Sequence, residues 1–372
     1  MKRKKILFFI YTMGKGGAAR TLLNIMNNLD RNKFEPMLVT LNHDGEYEQY
    51  VKEDVKFIKL EQKRLRNGIR PLAKLIKQER IDIIFSTIPN YNMVAILAKM
   101  LSFSEAKVVV READHVGGSF LGNLKCFIYG RFYNRTDQVI SLSEGVKQNL
   151  VTKYKIKPND IEVVYNPLDI VNMTNEIESG TLPNHLKPIF NKGEKVVVTA
   201  GRLVKQKDHH TLLKAFAKTN DQVKSQLVIL GEGPLEEELV SLAESLGIQD
   251  RVHFIGFQDN PYIFFNQSDL FVLTSIHEGF SHVIAEALAS GTPVVSTNCK
   301  SGPSEVLDEG RYGDLCEVGD EHAISDAMTN VLTLAPEQIQ ERIELGKERA
   351  DFFNAPKIVS RYEDVILNTF ND

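Results

Sequence analysis

Twelve short runs of β-branched and aromatic residues alternate along this chain with longer stretches whose apolar residues recur at helical spacing. The first seven lie near Ile6 to Tyr11, Pro36 to Leu41, Val55 to Ile58, Ile81 to Ser86, Lys107 to Arg111, Gln138 to Ser141 and Glu162 to Tyr165. Five more follow near Lys195 to Ala200, Gln226 to Leu230, Val252 to Ile255, Asp269 to Thr274 and Pro293 to Ser296. Such alternation predicts α/β architecture, with parallel, doubly wound sheets carrying helices on both faces. A chain of 372 residues is long enough for two such domains, each with its own core. After Asn166-Pro167, the polar stretch from Val171 to Gly193 interrupts the pattern and reads as a linker. The final segment, Pro356 to Phe370, places Ile358, Tyr362, Val365 and Ile366 at helical spacing.

With 42% apolar and 25% charged residues, the composition is that of a soluble globular protein. The net charge of −4 conceals an asymmetry: residues 1–170 hold 28 Lys and Arg against 18 Asp and Glu, and the remainder holds 17 against 31. Opposite signs suggest two domains with different partners, the basic half being the one to meet an anionic surface. The start, MKRKKILFFIYTMGKGG, has the charge and apolar run of a signal peptide. It continues directly into the helical pattern Leu22, Leu23, Ile25, Met26, Leu29, so a first strand, loop and helix is expected instead. Nothing approaches the roughly 18 uninterrupted apolar residues of a membrane span. Cys126, Cys299 and Cys316 lack metal-ligand spacing, so reduced thiols in a cytoplasmic setting, and no metal site, are expected.

From Glu278 to Thr297 the chain reads EGFSHVIAEALASGTPVVST, a glycine turn, a short helix and a new strand, with Glu278 and Glu286 eight residues apart. Glu278 falls just past the C-terminal end of the apolar run Asp269 to Thr274, where open α/β sheets hold their ligands. Ser281 is the predicted N-cap, Gly291 the C′ residue, and Pro293 blocks extension. Val283, Ile284, Ala287 and Leu288 share one arc of this helix, with His282 and Glu286 on the other side. Upstream, Gly201-Arg202-Leu203 and Lys207 follow the strand Lys195 to Ala200. An arginine fork and a lysine point charge suit a diphosphate leaving group, whose negative charge grows as its bond to carbon breaks. Gly231-Glu232-Gly233-Pro234, Gly256-Phe257 and the strand-to-helix segment Gly14-Lys15-Gly16-Gly17-Ala18-Ala19-Arg20 read as turns, the last with backbone amides open to a ligand.

These strings resemble the signature of family 4 of the GT-B glycosyltransferases, with its E-x7-E pair, G-x-P-V-V strand and G-R-L-x-x-x-K element. Ser141-Leu142-Ser143-Glu144 and Asn166-Pro167-Leu168-Asp169 match its S-x-S-E segment and N-P-x-D hinge, so the resemblance runs from about Ile6 to Tyr362. Two departures lie in the N-terminal loop, where Ala19 replaces the usual Glu and Lys15 adds a cation. The resemblance implies two Rossmann-like domains facing each other across a cleft. Residues 1–168, with a crossover helix of about 355–372, would bind the acceptor, and 169–354 the nucleotide-sugar. It also implies that Arg202 and Lys207 hold the donor diphosphate, Glu286 the ribose hydroxyls and Glu278 the transferred sugar. Amides of Gly279, Phe280 and Ser281, the glycines Gly16 and Gly17, and Phe257 beside the base would complete the donor site. The family's sugar-side histidine falls on His115 or, in another alignment, on Ala113, with Arg111 and Glu112 as alternatives. The implied enzyme is a hexosyltransferase-type glycosyltransferase, retaining, using a UDP-sugar with GDP as runner-up. Its acceptor would be a lipid-linked saccharide or envelope glycan in surface polysaccharide synthesis. No Asp-x-Asp is present to bridge a metal to the diphosphate, so no cofactor is expected.

The stretch Lys63 to Arg80 carries seven cations, with Leu65, Ile69, Leu72, Leu75 and Ile76 along one side. Either it lies on an anionic leaflet through Arg66, Arg70, Lys74 and Lys77, each adding about 1 kcal/mol, or it is an outer helix packed on the sheet. The first option places the protein peripherally on the inner face of the cell membrane. A nicotinamide oxidoreductase would need G-x-G-x-x-G, but position 19 is Ala and the strand ending at Leu41 is followed by Asn42. A catalytically silent partner of another transferase would have lost Arg202, Lys207, Glu278 or Glu286, and all four are present. No nucleic-acid partner is expected.

Overall fold

The computed structural model describes residues 3–14, 16–41, 45–113, 120–190 and 193–371. The chain divides into two compact units, Met1–Pro167 with Ala355–Asp372, and Leu168–Asn354. In the first unit, β1 (Lys4–Phe9), β2 (Phe34–Thr40), β3 (Lys56–Lys59), β4 (Ile83–Thr87), β5 (Lys107–Glu112), β6 (Gln138–Ser141) and β7 (Ile161–Val163) form one sheet in the order β3-β2-β1-β4-β5-β6-β7. Every pairing is parallel. Helices α1 (Gly17–Asn28), α2 (Ile69–Glu79), α3 (Pro89–Ser102) and α4 (Phe120–Tyr133) supply crossovers. Because crossovers are right-handed, α2, α3 and α4, which carry the chain from β3 toward β6, form one layer, α2 packing on α3 and α3 on α4. On the opposite face α1 packs against the terminal helix Ala355–Asn368.

That terminal helix belongs to the core of the first unit. Ile358, Val359, Tyr362 and Ile366 join Ile6 and Phe8 of β1, Ile83 and Phe85 of β4, and Leu22 and Met26 of α1 in one buried cluster. Arg111, at the end of β5, is itself fully buried and donates to the Tyr362 hydroxyl (3.0 Å), to Thr87 Oγ1 (3.0 Å) and to Asn166 Oδ1. A buried guanidinium needs such acceptors.

The second unit contains β8 (Lys195–Ala200), β9 (Ser225–Leu230), β10 (Val252–Phe254), β11 (Leu270–Leu273), β12 (Val294–Thr297) and β13 (Asp314–Cys316), ordered β10-β9-β8-β11-β12-β13 and all parallel. Both sheets are therefore doubly wound, as the alternation predicts. Two expectations need correcting. Residues 171–180 are no linker: Asp169 accepts from Asn172 N (3.1 Å) and starts the helix Ile170–Ser179, which buries Met173 and packs on the helix Tyr262–Asn266. Its polarity reflects the small share of its surface that is buried. The edge strand β13 escapes sequence reading because it is three residues long and opens with an aspartate.

Candidate functional site

In the second sheet the chain leaves β8 toward β9 on one side, and β11 takes its place on the other. Loops leaving the carboxyl ends of β8 and β11 thus diverge to opposite faces and leave a crevice, the usual ligand position of such sheets. Hydrogen bonds fasten the two loops together. Thr274 Oγ1 donates to the carbonyls of Lys207 (3.0 Å) and Asp208 (2.9 Å), Ile276 N to Gln206 O (2.8 Å), and Gln206 Nε2 to His277 O (2.9 Å). Thr297 Oγ1, from β12, donates to Ser275 O (2.7 Å).

Within this frame Glu278 is 7% exposed, so its charge needs partners. Its Oε1 accepts from Lys207 Nζ at 2.5 Å and from Ser275 Oγ at 2.6 Å. Oε2 has no hydrogen-bond partner among the described residues. Lys207 is thus held by a carboxylate, a contact that spacing did not announce. Arg202, in contrast, is exposed and its side chain makes no hydrogen bond or ion pair among the described residues. Burial, then the Glu278 carboxylate, push the neighbouring Cys299 thiol up to about 12. All three cysteines are free and buried.

The helix His282–Ala289 follows Glu278 directly. Ser281 occupies the N-cap position but does not cap: its backbone is left-handed (φ 64°, ψ 54°), and its buried hydroxyl makes no hydrogen bond among the described residues. Gly302 passes so close that a Cβ there would lie 2.8 Å from Ser281 Oγ and 2.7 Å from Phe280 C. The helix stops as expected, with Gly291 left-handed (φ 81°) and Thr292 N bonded to Ala287 O (3.0 Å). Gly279 is buried, and the Phe280 ring packs edge-on against Phe353 at 5.2 Å, so only backbone is left to face a ligand there. Glu286 is 3% exposed and is no solvated glutamate. It accepts from the Tyr262 hydroxyl at 3.2 Å, and His282 Nε2 lies 3.6 Å away. Ser275 and Tyr262 were missed. Ser275 stands three residues before Glu278 and could have been found, whereas Tyr262 has no local sequence link to Glu286.

Steric necessity explains Gly231 and Gly233 of this unit. A Cβ on Gly231 would lie 2.0 Å from Gly201 O, and one on Gly233 2.4 Å from Leu203 O. Leu203 N bonds Glu232 O (3.0 Å), Gly231 N bonds Gly256 O (2.8 Å), and the half-buried Phe257 donates its N–H to Glu232 Oε1 (3.4 Å). Gly201 faces the Lys207 stem, with Cε 3.2 Å from a Cβ built there.

The first unit has its own reversal between β1 and β4. After β1, Gly16 and Gly17 are exposed, and a Cβ on either would meet nothing within 4 Å among the described residues. No packing contact with those residues requires glycine there. After β4, Ile88 has φ 75°, a strained value for a β-branched residue and one that clusters at functional sites. Glu112 is buried and accepts from the Tyr133 hydroxyl and from Asn92 Nδ2 (3.1 Å). With Arg111 tied to Asn166 and Tyr362, both alternatives to the histidine have structural partners. His115 and Lys15 lie outside the described residues. Arg66, in the turn before α2, and Arg70, Lys74 and Lys77 on α2 are exposed, while Leu72 and Ile76 are buried. No described helix is long and apolar enough to cross a membrane.

Two family models match the chain, Glycosyltransferase Family 4 over residues 15–171 and Glycosyl transferases group 1 over residues 183–349. A Campylobacter jejuni relative, N-acetylgalactosamine-N,N'-diacetylbacillosaminyl-diphospho-undecaprenol 4-alpha-N-acetylgalactosaminyltransferase, is 30% identical over 88% of this chain and 90% of its own. N-acetyl-alpha-D-glucosaminyl L-malate synthase of Bacillus anthracis is 30% identical over 81% of this chain and 78% of its own. Among solved structures, a glycosyltransferase from Rickettsia africae aligns over 100% of both chains with a TM-score of 0.82 at 18% identity. Anabaena HepE, crystallised with UDP and glucose, covers 98% of this chain and 100% of its own with a TM-score of 0.80 at 21% identity. Two doubly wound sheets, the Glu278–Lys207 pair at a sheet reversal and these matches lead to one conclusion: the chain belongs to the group 1 glycosyl transferases and is a glycosyltransferase of GT-B fold.

Proposed function

We propose that this enzyme moves a sugar from a UDP-sugar to a lipid-linked or envelope glycan with retention of configuration, using side-chain cations and no metal at the leaving diphosphate. One observation carries this: Arg202, exposed and without a side-chain partner among the described residues, follows β8 at the β8–β11 reversal, in the same loop as a lysine already locked by Glu278. As the bond from the anomeric carbon to the diphosphate oxygen breaks, negative charge grows on that oxygen, and Arg202 with Lys207 neutralises it. Glu278 serves both partners, Oε1 orienting Lys207 and Oε2 accepting a hydroxyl of the transferred sugar. Glu286, oriented by Tyr262, accepts the ribose hydroxyls, and Phe257 lies beside the base. Because Ser281 does not cap its helix, the Gly279–Ser281 backbone and first-turn amides face the donor phosphate. The exposed Gly16 and Gly17 leave room for the acceptor. The second unit is accordingly the donor domain and the first the acceptor domain, with Arg66, Arg70, Lys74 and Lys77 drawing the latter toward an anionic membrane. The HepE complex with UDP supports the nucleotide, and the C. jejuni name supports the lipid-linked acceptor.

The test is nucleotide release from a panel of UDP- and GDP-sugars. UDP release is expected, reduced roughly 10² to 10³-fold in Arg202→Ala, the cost of one preorganised donor at a developing charge. Release of GDP alone refutes the nucleotide, and near-normal turnover of Arg202→Ala removes that residue from the leaving-group site.

A further inference from the structure

Helix α4 is built inside out. Its buried side consists of Cys126, Gly130 and Tyr133, whereas Phe120 (83%), Leu121 (75%), Leu124 (48%), Phe127 (49%) and Ile128 (47%) are exposed. At 100° per residue these five fall within an arc of about 120°, with exposed Arg131 in the same arc and exposed Lys125 at its edge. The helix is held in this orientation from behind. A Cβ on Gly130 would lie 1.8 Å from Tyr154 O, so the backbones touch there, and the Tyr133 hydroxyl donates to buried Glu112. Rotating α4 to bury its apolar face would break both contacts. Singly exposed apolar residues are ordinary, but five on one helical arc mark an interaction surface.

We propose that the exposed arc of α4 inserts into the headgroup and acyl boundary of an anionic lipid leaflet. Charge selects that occupant. From Phe120 to Thr136 the chain has Lys125, Arg131 and Arg135 and no acidic residue, and α2 of the same layer exposes Arg70, Lys74 and Lys77, with Arg66 in the turn before it. Amphipathic helices bind leaflets through this combination of large apolar side chains and flanking cations. A second copy docked about a two-fold axis would set this acid-free, cationic arc against itself. The two helices divide the work. The apolar stripe of α2 is spent on packing, so α2 contributes attraction and α4 penetration.

The chain contains no tryptophan, so Phe127→Trp and Arg70→Trp each create a single reporter. With vesicles of phosphatidylglycerol and phosphatidylcholine, Trp emission from the α4 variant is expected to shift to the blue and to be quenched by brominated acyl chains. The α2 variant is expected to do neither. Co-sedimentation of Phe120→Ser/Phe127→Ser should fall at least tenfold, while Val171→Ser, an equally simple loss on the other unit, should bind like the parent chain. Absent blue shift, unchanged sedimentation of the double variant, or a monomer–dimer equilibrium abolished by it without vesicle binding would each overturn the assignment. Nucleotide release by the double variant should match the parent chain, so failure here leaves the transfer reaction standing, and a chain inactive with every donor should still bind vesicles.

Discussion

Each unit places glycines in a loop at the carboxyl end of a strand, after β1 in the first and after β9 in the second, and the two sets are glycine for different reasons. In the second unit, Gly231 and Gly233 let the loop after β9 cross the backbone of Gly201 and Leu203, where a Cβ would sit 2.0 to 2.4 Å from a carbonyl oxygen. In the first, a Cβ on Gly16 or Gly17 would meet nothing within 4 Å among the described residues. One loop is committed to its own architecture and the other is kept clear. The same letter in a sequence therefore encodes rigidity in one place and vacancy in another, and only the surroundings distinguish them.

Substitutions can break that contrast. The largest effect is expected for Gly231→Ala, which combines a close backbone contact with φ 131°; strain and overpacking should together cost about 4 kcal/mol in urea unfolding. A cost under about 1 kcal/mol would show that the crossing is not obligatory.

Next comes acid sensitivity of the segment after β8, whose backbone the glycine loop crosses. His209, just past Lys207, is buried with its Nδ1 unpartnered among the described residues, and burial first, then the charges of Lys207 and His210, lower its pKa from 6.5 to about 4. A ring that resists protonation in the fold gives stability that is complete above pH 6.5 and declines as pH falls toward about 4. The loss should approach about 3 kcal/mol. Chemical denaturation across that range should show this acid limb, and His209→Gln should flatten it; an identical limb in the variant would assign it elsewhere.

The smallest stability change is expected at Gly17→Ala. Removing a glycine from the first turn of α1 should stabilise by under about 1 kcal/mol, yet turnover should fall because the methyl group occupies the ligand's approach. Stability and turnover both unchanged would mean that the vacancy is unused.

Helices α2 and α4 show how legible such surfaces are. The alternating basic and apolar pattern of Lys63 to Arg80 announces an amphipathic helix, but cannot say whether its stripe meets a sheet or a leaflet. In α4 the pattern FLGNLKCFIYGRFY is apolar nearly all round, and which arc is buried depends on Gly130 meeting Tyr154. The motifs at the β8–β11 reversal are more legible. Glu278 and Lys207, 71 residues apart in sequence, could each be picked out by spacing and neighbours, and they prove to touch. Tyr262 beside Glu286 could not, since a single tyrosine in a loop-to-helix segment carries no pattern. Nor could the N-cap failure at Ser281, because a serine before a helix caps only if its backbone is extended, and here it is left-handed.

By itself the sequence determined two doubly wound sheets, the family and the four charged residues Arg202, Lys207, Glu278 and Glu286, because hydrophobic period and motif spacing are local properties of a chain. Tertiary structure decided the rest. It paired Lys207 with Glu278 and left Arg202 without a side-chain partner among the described residues, assigned the terminal helix to the first core, and turned the apolar face of α4 outward. Each of these depends on which surfaces exclude water together, and that is set by contacts between residues far apart in sequence.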